Sequence, residues 1–76
     1  MKHLFTQISL AIEQAALANQ KVAMLHLQVL KHADELAAVS PKDFCEAVGL
    51  QDSYKAEYSK MLKLASVMKQ ENLKLA

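Results

Sequence analysis

One proline and one glycine govern what this chain can become. Pro41 is its only proline and Gly49 its only glycine. An all-β domain needs many turn residues, and a dinucleotide- or phosphate-binding α/β fold needs a glycine-rich loop. Both are excluded. The residues that dominate instead, Ala, Leu, Lys, Gln, Glu and Met, are the strong helix formers. The expectation is an all-α fold: one domain over 1–76, a compact bundle of about four helices.

Hydrophobic spacing places the helices. Leu4, Ile8, Ala11, Ile12 and Ala15 recur at helical intervals, flanked by Phe5 and Ala16, and predict a helix over about His3 to Ala18. Asn19-Gln20 is read as a break. Val22, Leu25, Val29, Leu30, Ala33, Leu36 and Ala37, widened by Met24 and Leu27, predict one helix from about Val22 to Val39. A helix apolar over so much of its circumference is central or shared with a partner. Ser40-Pro41-Lys42-Asp43 is the sharpest local signal. Ser40 suits an N-cap, and Pro41 the first helical position, where its missing N–H costs nothing. A short helix to Val48 would bury Phe44, Cys45 and Val48, and Gly49 would end it in the left-handed conformation. Asp52 or Ser53 is expected to cap the last helix. There Tyr54, Tyr58, Met61, Leu62, Ala65 and Met68 form the apolar face, Lys60, Lys63 and Lys74 the opposite one, and Lys55 lies between.

Size bears on assembly. A folded chain of 8.4 kDa exposes about 4,600 Å² and buries about 60% of its unfolded surface. Yet 53% of its residues are hydrophobic, above the roughly 45–50% usual for a globular domain. The surplus predicts a homodimer, with part of the first two helices at the interface.

A short capped helix, a tight glycine turn and a longer helix make a helix-turn-helix-like corner over about 41–70. Cys45 is small enough for the crossing of the two helices, and Leu50 suits the plug after the turn. In such a unit the second helix offers its N-terminal residues to the major groove. The candidate DNA-binding residues are therefore Gln51, Ser53 and Lys55, with Lys60 and Lys63 further along and Gly49 as the structural turn.

The stretches His32-Ala33-Asp34-Glu35-Leu36, Asp43 through Leu50, Ser53-Tyr54 and Glu57 through Met61 resemble small helix-turn-helix-like domain proteins of bacteria and their phages. The resemblance covers roughly the C-terminal two-thirds of the chain. It implies a DNA-related regulatory role. Two residues depart from the usual DNA-binding pattern: Lys55 stands where a buried branched aliphatic is common, and Asp52 stands where phosphate would approach.

Other chemistry is sparse. Nine lysines face eight acidic residues for a net charge of +1, and arginine, the preferred reader of guanine, is absent. DNA binding would thus rest on local clustering of lysine. The lone Cys45 forms no intrachain disulfide, fits a reducing, cytoplasmic setting, and has no activating base in reach, so it reads as a small buried hydrophobe. His32 and Glu35 have an i, i+3 spacing that a metal could use, but no second pair accompanies them, and no metal or cofactor is expected. Met1, Met24, Met61 and Met68 could line an adaptable groove or fill the core, and Tyr54 and Tyr58 could anchor an interface or seal the core. No apolar run is long enough to span a membrane, and Gln7, Glu13 and Gln14 interrupt any signal-peptide core.

Two readings follow. The first is a small non-enzymatic DNA-binding regulator of helix-turn-helix type, partnered by double-stranded DNA. The alternative is a helical protein–protein interaction module (adaptor, antitoxin-like or inhibitor) that binds no DNA.

Overall fold

The computed structural model describes residues 2–74. Among them the chain is all helix and turn: α1 (Lys2–Leu17), α2 (Lys21–Lys31), the single-turn α3 (Ala33–Leu36), α4 (Pro41–Val48), a 3₁₀ turn (Asp52–Tyr54) and α5 (Lys55–Gln70). All five helices contribute to one core. Leu4, Ile8 and Ile12 of α1 meet Leu25 and Val29 of α2, Leu36 of α3, Phe44, Cys45 and Val48 of α4, and Tyr58 of α5. Met1, named above as a groove or core candidate, lies outside the described residues.

Three of the helices end alike. The chain passes through a left-handed residue, and the next N–H reaches back five residues. Asn19 has φ 57°, and Gln20 N–H donates to the Ala15 carbonyl at 2.8 Å. Gly49 has φ 80°, and Leu50 N–H donates to the Cys45 carbonyl at 2.8 Å. Asn72 has φ 58°, and Leu73 N–H donates to the Met68 carbonyl at 2.8 Å. Each pattern satisfies a carbonyl that the helix end would orphan. Asparagine tolerates the left-handed region better than other residues with a Cβ. The break after α1 therefore needs no glycine.

The second predicted helix is not continuous. α2 stops at Lys31, His32 takes φ −111° and ψ 22°, α3 adds one turn, and the chain leaves helical geometry before Ser40. Leu36 still lands on the core side, because eleven residues after Leu25 is close to three full turns. Past the end of α3 the Val39 N–H returns to the Leu36 carbonyl at 2.9 Å, and Tyr58 also reaches this stretch. Its hydroxyl lies 2.9 Å from the Leu36 carbonyl and 2.7 Å from the Val39 carbonyl. A hydroxyl carries one proton, so the two acceptors share it.

The breadth of the second stripe is also corrected. Val22, Leu27 and Ala37 are exposed, and only Leu25, Val29 and Leu36 of that stretch are buried.

Candidate nucleic-acid interface

The corner is built as the local sequence dictates. The Ser40 side-chain oxygen accepts from the Asp43 N–H at 3.1 Å, and Pro41 occupies the first turn. α4 buries Phe44, Cys45 and Val48, and Gly49 turns the chain. Leu50 packs half-buried against the core, as the plug position requires. The Phe44 ring stacks on Tyr58 at 4.2 Å between centroids and 17° between planes. That pair fixes α5 across α4, and such stacking contributes about 0.5–1.5 kcal/mol beyond area burial.

Neither Asp52 nor Ser53 caps α5. The chain takes a 3₁₀ turn from Asp52 to Tyr54, Tyr54 stands at the cap position, and no side chain closes it. The Asp52 carboxylate is engaged elsewhere, 3.5 Å from the Lys55 ammonium. This contact pairs with each other the two residues that depart from the usual pattern. Lys55 is also half-buried, its side chain 38% exposed, in keeping with a position that commonly faces inward. Tyr54 is half-buried too, with the Lys21 ammonium 5.0 Å from its ring centroid.

The remaining candidates are presented to solvent. Gln51 and Ser53 are exposed at the start of the turn, and Lys60 and Lys63 are exposed on α5. At about 100° per residue, Ala56, Lys60 and Lys63 fall within roughly 60° of one another, and their midpoint lies nearly opposite buried Tyr58. Lys55 lies about 110° round from that midpoint. The structure thus brings Lys60 and Lys63 onto one outward strip and sets Lys55 apart from them. Among the described residues, neither Lys60 nor Lys63 is ion-paired, whereas Lys55 pairs with Asp52 and Lys69 with Asp34.

A hydrogen bond between α2 and α5 escaped the sequence. His26 Nε2 of α2 lies 2.7 Å from Glu57 Oε2 of α5, ahead of the lysine strip. His32 Nδ1 and Glu35 are 3.6 Å apart, and no cluster of three metal-ligating side chains exists among the described residues. Burial raises the Cys45 thiol above its ordinary value; Lys55 pulls it down and Asp52 pushes it up. A thiol so placed stays protonated at neutral pH and is a poor nucleophile. No described helix is long and apolar enough to cross a membrane.

A family model described as HTH-like domain matches residues 1–71. Comparison with curated proteins and with solved structures finds no match.

Proposed function

The chain belongs to the HTH-like domain family, and from that premise we propose that it is a small, non-enzymatic DNA-binding regulator. The observation that carries this reading is the outward strip of α5, where unpaired Lys60 and Lys63 follow a glycine corner. Lysines so placed neutralise phosphates and release counterions, which supplies sequence-independent affinity. Lys55 joins them when a phosphate takes the place of Asp52 at its amine. Gln51 and Ser53, exposed where the second helix begins, are the groups in position to donate to base edges or phosphate oxygens.

The regulator acts as a homodimer, so that two α5 helices reach half-sites about 34–36 Å apart. Leu10 and Leu17, 53% and 91% exposed on α1, and Val22 and Leu27 on α2 supply the apolar surface for it.

The test is an anisotropy titration against mixed genomic DNA fragments at two salt concentrations. Binding that weakens steeply with salt supports the reading. Absence of binding at low salt overturns it. The protein-interaction reading would then stand, favoured by the same exposed leucines and the absence of arginine.

A further inference from the structure

We infer that the open groove between the end of α2, α3 and the C-terminal half of α5 is a docking site for an acidic amphipathic helix of another protein. The groove arises from unequal helix lengths. α5, of 16 residues, is about 24 Å long, and α2, of 11 residues, about 16 Å. The apolar stripe of α5 continues through Leu62, Ala65 and Met68, but α2 ends at Lys31 and the chain turns away through α3. Tyr58 is accordingly the one described residue of α5 that is fully buried. Leu62, Ala65 and Met68 form one wall of an open cavity of 660 Å³, and Leu30, Ala33 and Ala37 form the other. That volume lies within the roughly 300–1,000 Å³ of sites that hold sizeable ligands.

Charge selects the occupant. Three lysines, Lys31, Lys69 and Lys74, rim the groove against one carboxylate, Asp34, for a net +2. The whole chain carries +1, so everything else sums to −1. Asp34 lies 3.7 Å from Lys69, which leaves Lys31 and Lys74 unmatched among the described residues. A second copy of this chain seated on its own groove would set two such rims face to face. An acidic partner would be steered to it. A cleft between helices with apolar walls takes a third helix, whose anchors fall at i, i+3, i+4 and i+7. Met68 gives one wall the adaptability such surfaces use. Leu62, Ala65 and Met68 lie on the side of α5 opposite Lys60 and Lys63, so occupancy leaves the lysine strip uncovered. The inference does not depend on DNA binding.

The experiment pans a surface-displayed library of amphipathic helices of mixed charge against the full chain. The expected result is enrichment of helices with apolar anchors flanked by Glu and Asp. A synthetic peptide of the most enriched sequence is then titrated by fluorescence anisotropy. Ala37→Glu should abolish its binding. The pair Lys31→Glu and Lys74→Glu should weaken it by about tenfold or more, the scale of a strong interface residue. All three positions are exposed, and circular dichroism verifies that the variants stay folded. Lys60→Gln with Lys63→Gln should leave the affinity unchanged. The proposal is overturned by no enrichment, by enrichment of neutral or basic helices, or by binding that survives both groove variants. Self-association abolished by Ala37→Glu would assign the groove to a second copy and overturn it equally. Failure of DNA to bind the parent chain would leave these outcomes unaffected.

Discussion

Tyr58→Phe removes a single oxygen from the centre of the molecule. The ring still stacks on Phe44 and fills the same space. What disappears is the proton shared by the Leu36 and Val39 carbonyls, which joins α5 to the segment between α3 and α4. The Leu36 carbonyl keeps the Val39 N–H at 2.9 Å, so the part-buried Val39 carbonyl is the acceptor that loses its partner. Losing a hydrogen bond to a part-buried acceptor costs about 0.5–1.5 kcal/mol, and about 1 kcal/mol is expected here. The whole chain, at roughly 0.05–0.15 kcal/mol per residue, has about 4–11 kcal/mol of stability. Thermal unfolding followed by circular dichroism should therefore show Tm falling by about 4–8 °C. The urea m-value should stay constant, because the surface exposed on unfolding does not change.

The same hydroxyl predicts a pH dependence. Burial, and then the nearby Cys45, raise the Tyr58 phenol above its ordinary value near 10. A raised acid stabilises the fold below its unfolded pKa, and that contribution is lost as pH rises through the folded one. The parent should lose stability above about pH 10 faster than Tyr58→Phe does. A variant within about 0.5 kcal/mol of the parent at pH 7, or an identical alkaline limb, would refute the shared-proton clamp.

Three further outcomes are expected. Gly49→Ala should destabilise by about 1 kcal/mol, wholly through backbone strain at φ 80°, since an added Cβ meets nothing within 4 Å; an unchanged Tm would refute the turn assignment. Cys45, buried with a raised pKa, should react with a thiol reagent at neutral pH only at the rate of unfolding; rapid labelling of the folded chain would contradict its place in the core. Sedimentation at tens of micromolar should show a dimer that Leu17→Glu dissociates; a parent of about 8 kDa under those conditions would remove the α1–α2 interface.

How much of this was legible in the sequence depends on the range of the interactions involved. Ser40, Pro41 and Gly49 act on their own backbones within a turn, so α4 and its corner read directly. The Asn19 break was legible in place but not in cause, because asparagine does the work of glycine there. The split after Lys31 was invisible to periodicity, since Leu25, Val29 and Leu36 stay in phase across it. Past α3, the Leu36 and Val39 carbonyls meet the Tyr58 hydroxyl, 22 and 19 residues away. Side-chain pairing was likewise beyond reach. Helical spacing placed Lys60 and Lys63 on an outward face, but nothing in one sequence joins His26 to Glu57 or directs Asp52 to Lys55 instead of to a cap. The groove beside α5 depends on the difference between two helix lengths, one of which was overestimated.

The most direct test of the DNA-binding account is the salt slope of DNA affinity for the parent and for Lys60→Gln with Lys63→Gln, on the same duplex. Each neutralised phosphate contributes about 0.9 to the slope of log K against log salt, so losing two contacts should flatten it by up to about two units. The loss should be alike on unrelated sequences, whereas Gln51→Ala or Ser53→Ala should change the preference among them. Stability should stay within about 0.5 kcal/mol, because both lysines are exposed. A double variant with the parent's affinity and slope would contradict the account at its centre.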